Sequence, residues 1–131
     1  MAGIHTFSKA ERLKSATLIA KLFKEGHSFA AWPMRVVWLP LDKEAATPLL
    51  FSVQAGFVAP KRVFRSAVQR NRVKRLMREA YRLNKLRLYQ SLQTRQMPPL
   101  AILLICIAKE MPSYKDVEAG TVRMISKLNK I

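Results

Sequence analysis

An uninterrupted apolar run from Leu100 to Ala108 constrains this chain more than any other feature. It is about half of the roughly 18 to 20 residues that a bilayer-spanning helix requires, so no segment is predicted to cross a membrane. Pro98 and Pro99 fence it on one side, Lys109 and Glu110 on the other. Its length and its isoleucines predict a buried strand. The chain has 131 residues, 50% of them apolar, which suits a single domain (1–131) burying roughly two-thirds of the surface its unfolded chain exposes.

Other elements follow from capping residues and apolar spacing. Ser15 precedes Ala16 to Glu25, where Leu18, Ile19, Leu22 and Phe23 recur at helical spacing and Gly26 stands where a left-handed terminal residue is expected. Ser8 and Glu11 have the spacing of a capping box, flanked by Phe7 and Leu13. Branched and aromatic residues between Pro33 and Pro40 predict a strand within Phe29 to Leu41, followed by a loop from Asp42 to Thr47. A second strand is expected from Pro48 to Ala59, with Gly56 as a bend or bulge. Ser66 opens a helix that runs through Arg82, with a break expected near Asn84 and a stop at Pro98. Ser113 and Asp116 open a last helix, in which Tyr114, Val117, Thr121, Val122, Ile125 and Leu128 keep the period. Repeats, low-complexity tracts and linkers are not found.

The charge is large and concentrated. There are 24 Lys and Arg against 8 Asp and Glu, a formal net charge of +16, and eleven of the 24 fall between positions 61 and 87. A folded domain this basic calls for a polyanion, nucleic acid or an anionic membrane surface. On the helix opened by Ser66, the residues Val73, Leu76, Met77, Ala80 and Tyr81 form one apolar stripe. Arg70, Asn71, Arg72, Lys74, Arg75, Arg78 and Arg82 fill the remaining arc, with Glu79 the one acid among them. A basic helix is often no more than a solvated face. Here Arg70, Lys74 and Arg78 repeat like charge at four-residue intervals, which destabilises an isolated helix by a few tenths of a kcal/mol per pair. Arginine also dominates, and its planar fork suits bidentate phosphate contact and stacking on bases. Nucleic acid is favoured over lipid, because the apolar stripe carries no bulky membrane wedge.

Residues for catalysis are sparse. His5 and His27 have no metal-ligand spacing, the four glycines are scattered, and the eight acids are dispersed. A nuclease holding its own two metal ions would want several converging carboxylates. The one cysteine, Cys106, lies inside the apolar run and reads as a small core side chain. The start, Met1 to His5, has no basic and apolar leader pattern, so a reducing cytoplasm is expected.

Val68 to Arg82 closely resembles the signature helix of the bacterial ribonuclease P protein component, whose core reads Ala-Val-x-Arg-Asn-Arg-x-Lys-Arg-x-x-Arg-Glu. The order around it also matches: an Arg-Leu pair (Arg12, Leu13), a short helix ending in Phe23-Lys24-x-Gly26, two strands, a basic pair (Lys61, Arg62), then strand and helix. The resemblance spans the chain. It implies an α/β fold, an α+β two-layer sandwich with a small mixed sheet of three to four strands and a left-handed βαβ crossover, where topology rules alone favour the right-handed form. It also implies the protein subunit of a ribonucleoprotein that removes the 5′ leader from precursor tRNA, with hydrolysis performed by a catalytic RNA subunit and its bound Mg²⁺.

Carried over residue by residue, the resemblance puts Arg70, Asn71, Arg72, Lys74, Arg75 and Arg78 on the surface facing the RNA subunit. It puts Ile19, Phe23 and Trp38, with Lys61 and Arg62, in a cleft for the single-stranded leader. Bases stacked on exposed rings gain roughly 1 to 3 kcal/mol each with little sequence preference; Phe23 and Trp38 also fit a core reading. Two departures stand out: Ile19 replaces a common aromatic, and Lys61 to Ser66 is one residue longer than the usual pattern and lacks its glycine. The implied partners are ribonuclease P RNA and precursor tRNA, with no membrane and no obligate protein partner. The competing readings are a general RNA-binding or ribosome-associated protein without a role in cleavage, and a protein-only nuclease.

Overall fold

The computed structural model of the chain describes residues 7–41 and 53–131. Expectations for Met1 to His5, for the loop Asp42 to Thr47 and for the strand residues Pro48 to Ser52 lie outside them. Along the described residues come a 3-10 turn (Lys9–Glu11), α1 (Ala16–Glu25), β1 (His27–Ala31), β2 (Met34–Pro40), β3 (Val53–Val58), α2 (Ala67–Thr94), β4 (Leu100–Cys106) and α3 (Tyr114–Leu128). The strands form one mixed sheet in the order β1-β2-β4-β3.

The apolar run, β4, takes an interior place in that sheet. It pairs antiparallel with β2, from Met34↔Cys106 to Pro40↔Leu100, and parallel with β3, from Val53↔Leu100 to Val58↔Ile105. A strand without a polar face needs cover on both sides. Leu100, Ile102, Leu104 and Cys106 point into the larger core with Met77 and Tyr81 of α2 and Met124 and Ile125 of α3. Ala101 and Leu103 point the other way, into a smaller cluster with Leu22 of α1 and Val37. The helices α2 and α3 therefore form one layer against the sheet, and α1 covers part of the opposite face. Because β3 and β4 are parallel neighbours, the chain between them must cross over, and α2 with its 28 residues is that crossover.

The capping signals mark their helices correctly. Ser15 Oγ accepts from Leu18 N at 3.2 Å, Ser66 Oγ from Gln69 N at 3.1 Å, and Ser113 Oγ from Asp116 N at 3.1 Å. Four expectations need correction. The stretch Phe29 to Leu41 holds two strands, because β1 and β2 form a hairpin with Phe29 opposite Val36. Gly26 is extended, at φ −70°, and not left-handed; an added Cβ would lie 2.4 Å from Leu22 O and 2.9 Å from Val37 Cγ1, so close packing requires the glycine. Gly56 makes no bulge, since the register from β3 to β4 is unbroken through Gly56↔Leu103. The fourth concerns α2, which does not break near Asn84.

At that point Asn84 Nδ2 bonds back to Ala80 O at 2.8 Å, keeping the residue within the helix. The buried positions run on from Val73, Met77 and Tyr81 to Lys85, Leu88 and Leu92. Lys85 occupies a core position, which is why the apolar period looks interrupted in the sequence. The residue is 1% exposed and its ammonium bonds Glu11 Oε2 at 2.5 Å; Glu11 itself is 0% exposed. The same oxygen accepts from Tyr89 Oη at 2.6 Å, while Glu11 Oε1 accepts from Ser8 N at 3.0 Å and Ser8 Oγ at 3.1 Å. The expected capping box is thus present, and its glutamate also pins the amino-terminal segment to α2.

That segment passes round the β3 edge of the sheet. Phe7 packs in the larger core, edge-on to Phe57 and Tyr81 at 5.6 and 5.8 Å between ring centroids. Arg12 then bridges Ala55, Leu13 N bonds Ala55 O at 3.0 Å, and the Leu13 side chain joins the smaller cluster under α1. The strap covers an edge that would otherwise offer unpaired backbone.

Candidate RNA interface

The amino-terminal half of α2 stands with one side in the core and the other in solvent. Val73 and Met77 are buried, whereas Asn71, Arg72, Arg75 and Arg78 are exposed on the opposite side. A shallow groove is lined by Val68, Asn71, Arg72, Arg75 and Leu76. Val68 is 78% exposed, giving this basic face an apolar spot able to meet a base or sugar.

The other cations of the segment are not equivalent. Arg70 is half-buried, and its Nη1 donates to Phe64 O at 3.0 Å and Arg65 O at 2.9 Å, fastening the turn that leads into the helix. Lys74 is half-buried as well. Arg82 bonds Glu79 at 2.5 Å; this bond holds the Glu79 carboxyl below its usual range and raises the Arg82 guanidinium. Lys85, counted with the basic face in the sequence, belongs to the core. The open cationic surface is therefore narrower than the helical wheel suggests: Arg72, Arg75 and Arg78 with Asn71, extended by exposed Lys61, Arg62 and Arg65 on the approach to α2.

The five residues expected to form a leader cleft are not brought to one place. Ile19 and Phe23 lie on α1, Ile19 packed against the smaller cluster and Phe23 61% exposed. Trp38 is on the opposite face of the sheet. Side chains alternate along a strand, so Met34, Val36 and Trp38 of β2 point toward α2 and α3, and Val37 and Leu39 point toward α1. Trp38 is half-buried and stacks on His27 of β1, its register partner, with ring centroids 4.5 Å apart. On the α1 side, exposed Arg35 Nη1 reaches Ser28 Oγ at 3.4 Å. Arg35 is absent from the residues expected at the leader site, although its odd position in β2, shared with Val37, was the available signal. Lys61 and Arg62 lie past the ends of β3 and β4, where Arg62 lines a groove with Ile105 to Lys109.

Several groups are set by burial. Cys106 is buried and free, and burial raises its thiol above the usual range. Burial also raises the phenols of Tyr81 and Tyr89, so both remain protonated donors. Among the described residues no cluster of three His, Cys, Asp or Glu side chains could hold a metal ion. No described helix is long and apolar enough to cross a membrane.

Comparison with known proteins agrees with this arrangement. The family profile described as Ribonuclease P matches residues 7–129. The ribonuclease P protein component of Porphyromonas gingivalis is 42% identical over 122 residues, covering 92% of this chain and 85% of that protein. That of Chlorobium phaeobacteroides is 35% identical over 136 residues, covering 95% and 90%. Among solved structures, the RNase P protein of Staphylococcus aureus superposes with a TM-score of 0.64 at 21% identity, covering 94% of this chain and 98% of that one. The RNase P protein of Thermotoga maritima gives 0.62 at 25% identity, covering 92% and 97%. The sheet order, the crossover through a basic capped helix and near full-length matches in sequence and structure together place this chain in the ribonuclease P protein family.

Proposed function

We propose that this chain binds the catalytic RNA of ribonuclease P through the exposed side of α2 and helps that RNA hold precursor tRNA while the 5′ leader is removed. The protein component of ribonuclease P takes part in forming tRNA 5′ ends and works with ribonuclease P RNA. The finer assignment rests on one observation: Asn71, Arg72, Arg75 and Arg78 all face solvent on a capped helix whose other side is core. Arginine forks at this spacing can span successive phosphates, and the fixed helix spares them much of the ordering cost. In this reading phosphodiester hydrolysis belongs to the RNA subunit and the Mg²⁺ bound there, and not to the side chains of this chain. Their part is to bind and orient RNA.

For the leader, Phe23 on α1 supplies the open ring, with Ile19 giving apolar contact and Arg35 on the same side of the sheet a charge for phosphate. Trp38 is left to the other face, and Lys61 and Arg62 to the α2 surface. The test is a titration of ribonuclease P RNA with wild-type protein and with the Arg72→Ala/Arg75→Ala double variant across a range of salt. The expected result is weaker binding with a shallower salt slope, by about 0.7 to 0.9 log unit for each phosphate no longer neutralised. Equal affinity and slope would refute the assignment.

A further inference from the structure

At the carboxyl ends of the parallel strands β3 and β4, the chain builds a pocket that the leader site does not use. The turn from β1 to β2 lifts Trp32 there, 52% exposed, beside Ile107 and Met111, which are 40% and 36% exposed. These side chains, with Lys109 and Asp116, line a cavity of about 680 Å³. That volume lies within the range of ordinary small-ligand sites, about 300–1,000 Å³. A second groove shares Ile107 and Lys109 with it and runs on to Arg62, at the approach to α2.

The exposed tryptophan is held firmly. Trp32 O accepts from Arg123 of α3, and Pro33 O accepts from Ile107 N at 2.8 Å. Gly120 of α3 lies so close that an added Cβ would be 2.6 Å from Trp32 O. A turn whose backbone is fixed at both carbonyls projects the indole from a defined point, which lowers part of the ordering cost of stacking a ligand on it.

We infer that this pocket takes an unpaired RNA base, stacked on Trp32 against Ile107 and Met111, with the adjoining phosphates on Lys109 and Arg62. Two observations select this occupant. The adjoining groove includes Arg62, one of the exposed cations on the approach to α2, so a strand held on that surface has a charged path toward the pocket. The charge is also graded: Asp116 and Glu110 in the pocket repel a phosphate but accept an N–H from a base edge, while the adjoining groove carries Arg62 and, shared with the pocket, Lys109, and has no acid among its described lining residues to oppose a phosphate. Single-stranded RNA is commonly read by bases splayed onto aromatic side chains. The inference rests on the proposed RNA surface of α2, and the test separates the two.

The experiment measures Trp32→Ala, Trp32→Phe and Lys109→Ala in two arms: the full-length protein with ribonuclease P RNA, and the reconstituted holoenzyme with precursor tRNA. Thermal melts check the fold of each variant. The expected result is that Trp32→Ala weakens one arm by about 5- to 150-fold with little change in salt slope, from the loss of one stacked base. That arm identifies which RNA supplies the base. Trp32→Phe should recover most of the affinity, and Lys109→Ala should reduce the salt slope in the same arm by about 0.7. Wild-type affinity of Trp32→Ala in both arms, while Arg72→Ala/Arg75→Ala is impaired, would overturn the pocket and leave the α2 surface standing. Wild-type affinity of all these variants would overturn both.

Discussion

Lys85→Met isolates the buried ion pair that ties the amino-terminal strap to α2. Methionine keeps the length of the side chain and removes the ammonium, leaving the Glu11 carboxylate, 0% exposed, with its bonds from Tyr89 and Ser8 alone. Removing one partner of a buried pair costs about 3–5 kcal/mol, because the other charge is left uncompensated. That is a large part of the roughly 5–15 kcal/mol that holds a domain folded. The loss should also depend on pH. In the native protein burial alone would raise the Glu11 carboxyl, but the bonds from Lys85, Tyr89 and Ser8 outweigh it and hold the group below its usual range. A lowered carboxyl contributes stability that is present above the unfolded pKa and lost as pH falls through the folded one. Without Lys85 the group loses the strongest of the bonds that oppose burial, so its carboxyl rises relative to wild type and less of that stability remains at neutral pH. The gap between wild type and Lys85→Met is therefore widest near neutrality and closes as pH falls through the two folded-state pKa values, by about 1.4 kcal/mol for each unit between them. Glu11→Gln/Lys85→Met removes both charges yet keeps an acceptor for Tyr89, and should return to within about 1.5 kcal/mol of wild type. Urea unfolding followed by circular dichroism at neutral and acid pH reads all three proteins. A loss below about 1 kcal/mol for Lys85→Met, or a double variant no more stable than the single one, would refute the reasoning.

Gly120→Ala should destabilise by about 1–3 kcal/mol in the same urea assay, since the new methyl meets the Trp32 and Ala31 carbonyls at 2.6 and 3.0 Å; unchanged stability would mean that the turn yields easily. Phe23→Ala should weaken holoenzyme binding of precursor tRNA with a leader by about 1–3 kcal/mol and leave leaderless tRNA unaffected; equal effects on both would remove Phe23 from the leader site. With a net charge of +16, the isolated protein should melt higher in low-millimolar sulfate than in sodium chloride of equal ionic strength. Equal melting temperatures would contradict anion binding to the basic face.

What could be read from the sequence was whatever local chemistry determines. Ser15, Ser66 and Ser113 marked the three helix starts because a side-chain oxygen bonding two or three residues ahead acts within one turn. The Leu100 run declared itself because a strand covered on both faces has no polar alternation. The open side of α2 was readable as a wheel, and the signature within it as a family. The misses came from partners distant in the chain. Lys85 looks like a solvent charge until Glu11, 74 residues away, neutralises it, and with Lys85 the apolar period of α2 continues. Strand β1, with the sequence His-Ser-Phe-Ala-Ala at the sheet edge, has only one buried residue and so little apolar pattern to detect. The resemblance carries Trp38 to the cleft, but its parity along β2 does not: counted from Val37, which packs with Leu22 of α1, it faces the other way. Arg70 carries the family motif, but its two carbonyl partners show only in three dimensions.

The central proposal is that this chain, a member of the ribonuclease P protein family, binds RNA for an enzyme whose chemistry resides in the RNA subunit. Its most direct test is cleavage of a 5′-end-labelled precursor tRNA at low-millimolar Mg²⁺ by the protein alone, by a cognate ribonuclease P RNA alone, and by the two together. Correct mature 5′ ends are expected in strong yield only from the mixture. Cleavage by the protein alone, or a mixture no better than the RNA, would contradict the claim.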